Sequence, residues 1–188
     1  MTHDERKRYI ADRFPQLKLV THHEWREAAY EIWAKAWEKS SWEDLEEVPA
    51  NPLTPTASLI NHVRSVVENS IQVAKVRESI YGDRINLDVL IIAAVLHDTS
   101  KVLEYEWREG REVPSRLGDL YQHGFYAAHM ALEAGLPEEI VHIILTHTVA
   151  TRACPKTLEG LLLYYCDMVD ADLNRLRDGA PLLIASHK

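Results

Sequence analysis

Cysteine is nearly absent from this chain of 188 residues, which holds only Cys154 and Cys166. Two cysteines can build neither a disulfide framework nor a cysteine zinc site, so a reducing, cytoplasmic setting is expected. Long apolar runs are missing as well. The longest, Val89 to Leu96, falls well short of the ~20 residues a membrane span requires, so no membrane role is expected. The opening MTHDERKRYI lacks the apolar core of a secretory signal. Positive charge is in deficit: 21 Lys and Arg face 29 Asp and Glu, for a formal net charge of −8. That balance disfavours a protein living on the phosphate backbone of long nucleic acid. It leaves room for a locally basic pocket that takes a small phosphate ester. Repeats and low-complexity tracts are also lacking. Strand-like alternation is confined to EYEWREGREVP, a candidate β-hairpin about Glu109-Gly110. That is too little for a sheet core, so the fold class expected is all-α, a single-domain helical bundle.

The rest of the pattern is helical. Thr2-x-x-Glu5 reads as a capping box opening a short helix that ends before Pro15. Thr21-x-x-Glu24 reads as a second box opening a helix to about Lys39. There Trp25, Ala29, Ile32, Trp33 and Ala36 recur at helical spacing, a face for packing on its own bundle or on a second copy. A homodimer is therefore left open. Residues 47–56 hold Pro49, Pro52 and Pro55 and read as a loop. The expected division is a helical extension with this loop at 1–56, a bundle domain at 57–180 and a tail at 181–188. The extension has too few aliphatics to fold alone. Within the bundle, helices are expected from about Ala57 to Ile80 before Gly82, from Asn86 through VLIIAAVL, and from about Asp119 to Gly135. Two more are expected from Pro137 to about His147 and from about Lys156 to Asp178 before Gly179.

Histidine is in excess: the chain has 10, and six lie between His62 and His147. His62 lies on the stripe of Leu59, Val66, Ser70 and Val73, and His97 and Asp98 follow the most apolar run in the chain. His123 shares a stripe with Ala127, Met130 and Ala134, and His147 one with Ile140, Ile143 and Ile144. Asp167 lies between Leu163 and Ala171 on another. A buried imidazole or carboxylate needs a partner or a metal, because an isolated buried charge costs several kcal/mol or more. Any one of these residues alone reads as a satisfied core group. Converging from separate helices and helix ends, the six read as a joint metal site. His129 and His142 fall off the stripes, while His3, His22, His23 and His187 lie in terminal or capping regions. Solvated or capping roles are expected for all of these.

The order His62, His97-Asp98, Asp167 resembles the HD-domain superfamily of metal-dependent phosphohydrolases. AAVLHDTSK is similar to that family's buried helix followed by H-D-x-x-K. YYCDMVDAD is similar to its closing aspartate segment, with Asp167 as the ligand and Asp170 in the following D-A element. The likeness covers about Ser58 to Asp172, and His123 and His147 match the subset that holds two metals. LHDTSKVLEYE, LGDLYQHG, LPEEIVHIILTH and PKTLEGLLLYYCDMVDAD also resemble, in that order, the HD domain of certain bacterial 3′-to-5′ exoribonucleases. That group carries a nucleic-acid-binding OB domain where this chain has an acidic helical extension, and many members have His-His in place of His147-Thr148. Exonuclease activity is not implied.

The resemblance implies that His62, His97, Asp98 and Asp167 bind one metal, and that Asp98 bridges to a second held by His123 and His147. Imidazole with carboxylate suits one or two divalent ions of Fe, Mn, Ni, Zn or Co, with Mg less suited. The implied activity is hydrolysis of a phosphomonoester or phosphodiester of a nucleotide or other small phosphorylated metabolite, with water activated by the metals. Lys101 lies about one turn beyond His97 and Asp98 and is expected to bind a phosphate oxygen or neutralise the leaving group. Its plainer reading is an ion pair with Asp98 or Glu104. Arg116, Arg152 and Lys156 are expected near the mouth as phosphate contacts, against a reading as solvated surface charges. Glu159 is either a carboxylate orienting a histidine or one favoured by the first turn of its helix. Specificity is expected from the Pro49–Pro55 loop, the Glu104–Pro114 segment and the Thr148–Pro155 loop. Two alternatives stay open: a di-iron oxygenase on the same ligand set, and a non-catalytic nucleotide-sensing module.

Overall fold

The computed structural model describes residues 1–187, apart from the side chains of Val149, Ser186 and His187; Lys188, the end of the expected tail, lies outside the described residues. The solvated role expected of the His187 side chain lies outside them too. Helix α1 (His3–Arg13) opens on the Thr2 capping box, with Thr2 Oγ1 accepting from the Glu5 amide and the Glu5 carboxylate from the Thr2 amide. A 3-10 turn (Pro15–Leu19) leads to α2 (His23–Lys39). The second capping box, expected at Thr21, does not form. His22 is the N-cap of α2, without a side-chain bond. Thr21 gives its amide and hydroxyl to Asp88 instead, at 2.9 and 2.6 Å. Charge-assisted bonds to a buried carboxylate are stronger than a neutral cap bond.

The tryptophans of the extension are used within the chain. The Trp33 indole donates to Val95 O at 2.9 Å, fastening α2 to the middle of the bundle. Trp37 donates to Trp42 O and Trp42 to Tyr105 O. Trp33, Trp37 and Trp42 are buried in one apolar cluster that runs from Ile10 to Cys166. The extension and the bundle therefore share a core, and this face is not available to a second copy.

Ser58 caps α3 (Leu59–Tyr81) by accepting from the Asn61 amide, and Gly82 ends it in the left-handed region at φ 70°. Asn86 caps α4 (Leu87–Leu96), in which every residue from Asp88 to Leu96 is buried. A helix apolar on all sides must be central, and α4 packs against α2, α3, α8 (Glu138–Thr146) and α9 (Leu158–Arg177). A turn over His97 to Ser100 leads to the short α5 (Lys101–Glu104) and then to the expected hairpin. Its strands β1 (Tyr105–Arg108) and β2 (Arg111–Pro114) are antiparallel, with Arg108 opposite Arg111.

One helix expected over 119–135 is two, α6 (Arg116–Leu120) and α7 (His123–Glu133), separated by extended backbone at Tyr121 and Gln122. The break has a packing cause. A Cβ at Gly118 would run into the Glu104 carbonyl, so α6 sits directly on α5. The chain then turns back, and the His123 carbonyl accepts from Ser100 Oγ at 2.8 Å. Helix α8 (Glu138–Thr146) and a 3-10 turn (Val149–Thr151) precede α9, which Thr157 caps. A last 3-10 turn spans Leu183–His187. Among the described residues, no helix is long and apolar enough to cross a membrane.

The Pro-rich stretch is more than a separator. Ala50 N–H bonds Ala57 O and Leu59 N–H bonds Val48 O, closing it into a compact loop. Thr56 Oγ1 donates to Asp178 Oδ1 at 2.5 Å, and Lys101 Nζ donates to Ala50 O at 3.0 Å. These bonds hold the loop against the end of α9 and above the buried turn that follows α4.

Candidate metal centre

Five elements deliver side chains to one point. His62 lies one turn into α3. The apolar body of α4 drives His97 and Asp98 into the core, where each is at most 1 % exposed. His123 is the first residue of α7, His147 caps the end of α8, and Asp167 lies in the middle of α9. His62 Nε2 stands 3.2 Å from Asp98 Oδ2 and 3.1 Å from Asp167 Oδ1. His97 Nε2 stands 3.4 and 3.8 Å from the same two oxygens. His123 and His147 turn their Nε2 atoms to Asp98 Oδ1, at 3.7 and 3.5 Å. The ligand atoms of His62, His97, Asp98 and Asp167 lie within 4.8 Å of one another, as do those of Asp98, His123 and His147. Asp98 belongs to both groups, one oxygen facing each.

The outer nitrogens explain this orientation. His97 Nδ1 bonds Ala94 O at 2.7 Å and His147 Nδ1 bonds Ile144 O at 2.6 Å. Those carbonyls belong to the last turns of α4 and α8, where carbonyls have no helical partner. His62 Nδ1 bonds Asp170 Oδ2 at 2.7 Å. Asp170 in turn accepts from Ser65 Oγ and Asn174 Nδ2. An acceptor at Nδ1 requires a proton there, which leaves the Nε2 lone pair of the neutral ring facing the centre. The Nε2 atoms of His62, His97 and His147 and Oδ1 of Asp98 are buried without a hydrogen-bond partner among the described residues. Lone pairs and carboxylates packed together without donors fit a cation. The negative ends of α4 and α8 point to the same place and add to that demand. With no thiolate and both imidazole and carboxylate, the donor set suits divalent transition ions.

The electrostatics agree. Burial works to raise the pKa of Asp98, but Lys101 and the imidazoles hold it well below the usual carboxylate range. Asp167, also opposed by burial, is held down to about 2 by His62 and His97. Burial works to lower His62, yet Asp167, Asp170 and Asp98 raise it well above its ordinary value. His147 is raised against burial by Asp98 and Asp167. Protons on these two rings supply positive charge that the carboxylates demand, and a metal would displace them. Burial and Lys101 push His123 down to about 3, so that ring stays neutral. Glu104, whose Oε1 lies 3.5 Å from His123 Nδ1, is pushed up to about 7, chiefly by burial.

A cavity of ≈ 130 Å³ opens on this centre. His62, His123, Asp167 and Lys101 form its inner wall, with Asn51, Thr54, Thr148, Asn174 and Arg175 around them. Lys101 Nζ lies 2.7 Å from Asp98 Oδ2. The other basic residues expected at the mouth are elsewhere. Arg116 lines a separate groove with Tyr121 and Phe125. Arg152 and Lys156 are exposed and do not line the cavity, and the Lys156 amide bonds His142 Nε2. Arg116 opens α6 and Arg152 and Lys156 lie in the loop before α9, all away from the cavity, and Arg175 of α9 lines it instead. Glu159 orients no histidine: it is buried and accepts from the Asn86 amide at 2.7 Å. Of the three expected specificity segments, the first contributes Asn51 and Thr54 and the third Thr148. The hairpin segment reaches the site only through Glu104. Asp170, Glu104 and Arg175 were not expected in these places. Spacing offers a signal for two of them, since Asp170 and Arg175 lie three and eight residues past Asp167 on the same helix.

The remaining histidines keep away from the centre. His3 bonds Glu31 and Glu38 of α2, His22 stacks on Trp25, His23 is exposed, and exposed His129 pairs with Glu133.

Comparison with known proteins gives two matches. The HD domain family pattern matches residues 59–172. Over 119 residues, the chain is 29% identical to the dihydroneopterin 2′,3′-cyclic phosphate phosphodiesterase of Methanocaldococcus jannaschii, a span of 62% of this chain and 47% of that protein. The chain thus spans about half the length of the relative it matches. No solved structure matches it significantly.

Proposed function

Because the chain belongs to the HD domain family, we propose that it is a metal-dependent phosphohydrolase acting on a small phosphorylated metabolite. The observation that carries this reading is the set of buried imidazole nitrogens and carboxylate oxygens that converge without hydrogen bonds. The M. jannaschii relative is named for a 2′,3′-cyclic phosphate, so a cyclic phosphodiester is the first substrate class proposed, ahead of open diesters and monoesters. The cavity supports a small reacting part. Its ≈ 130 Å³ is well below the ~300–1,000 Å³ of a site that encloses a drug-sized ligand. The rest of the substrate would lie at the mouth, against Asn51, Thr54, Asn174 and Arg175.

His62, His97, Asp98 and Asp167 would hold one ion, and Asp98, His123 and His147 a second. Divalent ions in such a site polarise the phosphoryl group and lower the pKa of water toward ~7. Asp170 and the carbonyls of Ala94 and Ile144 keep the imidazoles aimed. Lys101 is raised above its ordinary pKa, Asp98 and Asp167 outweighing burial, and so stays cationic. Its Nζ, held between Asp98 and Ala50 O, is placed to bind a phosphoryl oxygen. Arg175 offers a second cation on the same wall.

The test is a panel of 2′,3′-cyclic nucleotides, open diesters and monoesters, incubated with and without dioxygen with the chain loaded separately with Mn, Fe, Co, Ni or Zn. Phosphate-ester cleavage without oxygen is expected. Turnover that requires and consumes dioxygen would put the oxygenase in its place. Tight nucleotide binding with no turnover of any ester would leave only a sensing module.

A further inference from the structure

The outer face of α9 is apolar along its whole length. Leu158, Leu161, Tyr165, Val169, Leu173 and Leu176 follow one another at helical spacing and are 43–66 % exposed. The charges of this helix are engaged elsewhere: Glu159 with the Asn86 amide, Asp167 and Asp170 with His62, Asp172 with the Leu183 and Ile184 amides, Arg175 with Pro181 O, and Arg177 with Asp178. On either side of the ridge lies an apolar groove. One, of ≈ 640 Å³, runs against α3 past Val73 and Ile85. The other, of ≈ 570 Å³, runs against Leu182 and, in the last 3-10 turn, Ile184. A half-exposed large side chain leaves roughly 100 Å² in water, judged from the ~150–250 Å² an aromatic buries. The ridge and its flanks therefore approach the ~800 Å² per partner of a standard interface. Monomers rarely expose that much contiguous apolar surface.

The order of residues points to the occupant. Counted outward from Asp167, large apolar or aromatic side chains stand at matching distances in both directions: Tyr165 and Val169, then Leu161 and Leu173, then Leu158 and Leu176. An isologous twofold contact pairs residue i with j and j with i, and with this spacing each such pair across an antiparallel contact of α9 with α9 sets apolar surface on apolar surface. We propose that the chain forms a homodimer through this face, α9 against α9 of a second copy, antiparallel and centred at the level of Asp167. Tyr165 of each copy then meets the partner's Val169. A ridge flanked by two grooves suits this packing, because each ridge enters a groove of the other copy. A lipid surface is the weaker occupant, since the net charge of −8 is repelled by an anionic bilayer. The inference does not depend on the proposed chemistry, because Asp167 projects from the opposite side of the helix.

Sedimentation equilibrium of the chain at tens of micromolar tests it. The expected mass is twice 21.6 kDa. Tyr165→Lys and Val169→Glu are each expected to sediment as a single chain with an unchanged far-ultraviolet spectrum. Mixed in equal amounts, they are expected to recover the doubled mass, because the introduced lysine and glutamate meet across the twofold. A single-chain mass for the unaltered protein overturns the proposal, as does a dimer that survives either substitution or a mixture that stays monomeric. A monomer that co-sediments with phosphatidylcholine–phosphatidylglycerol vesicles reassigns the face to membrane and also overturns it. If either charged variant unfolds, Leu161→Ser with Leu173→Ser is expected to weaken dimerisation at least tenfold, and unchanged dimerisation overturns the proposal.

Discussion

Asp88 and Asp98 stand at opposite ends of the central helix α4, and both are buried. At the first end the carboxylate is saturated. The Thr21 amide and hydroxyl and the His22 amide all donate to it. It also lies in the first turn of the helix, where the dipole favours an anion. Burial works to raise its pKa, but these donors hold it below the usual range. At the other end Asp98 meets the negative end of the same helix, with four imidazole nitrogens turned toward it at 3.2–3.7 Å. Lys101 is its close lysine cation, and without metal the protons held on His62 and His147 add to that charge. The difference teaches that burial of a carboxylate says little by itself. Asp88 is surrounded by fixed donors and fastens the N-terminal extension, whereas Asp98 is surrounded mostly by imidazole nitrogens able to ligate and calls for metal.

The contrast can be broken in order of expected effect. Removing the proposed bridge with Asp98→Ala is expected to abolish turnover. Lys101→Ala is expected to leave metal content unchanged and to lower kcat/KM by about 10²–10³-fold, the usual loss of one charge-stabilising donor. Equal kcat/KM in the two proteins would return Lys101 to a plain ion pair. Asp170→Asn keeps the shape but weakens the acceptor behind His62, and about a 10–100-fold loss of metal affinity by competition with a chelator is expected. Asp88→Ala is expected to lower unfolding free energy by about 2–4 kcal/mol in urea titration, with metal stoichiometry intact, because it strands three donors. Metal lost along with stability would show that the two ends are not separable. Smallest is His142→Ala, which removes one bond to the Lys156 amide. About 0.5–1.5 kcal/mol is expected, with metal and turnover unchanged.

Acidity separates the two ends by sign. The folded pKa of Asp88 is depressed, so its contribution is present above the ordinary carboxylate value near ~3.9 and is lost as pH falls through the folded value. In chelated protein His62 behaves oppositely. Its folded pKa is raised, so its contribution is complete below ~6.5 and is lost as pH rises through the folded value. Urea titrations of chelated protein across pH are expected to show the first loss vanish in Asp88→Ala and the second persist. Metal affinity is expected to fall as pH drops, because the ions must displace protons from His62 and His147.

Much of this was legible in the sequence. The helical stripes and the apolar run before His97 placed six ligand-type residues inward, and the structure brings those six together. What was not legible depended on contacts between distant elements. Thr21 has the local form of a cap, and only the approach of Asp88 draws it away. The break at Tyr121 carries no Pro or Gly and follows from the seating of Gly118 on Glu104. Asp170 could be put on the face of Asp167 by spacing, but its role needs α3 beside α9 so that His62 meets it. Arg116, Arg152 and Lys156 lie near the right segments, yet which way a loop or helix end faces is decided by tertiary packing.

The central claim is that Asp98 joins two groups of ligands into one metal centre. Elemental analysis of the unaltered chain and of Asp98→Ala, purified and dialysed side by side, tests it most directly. One to two divalent transition ions per chain are expected in the first and almost none in the second. Equal metal in both proteins would contradict the account.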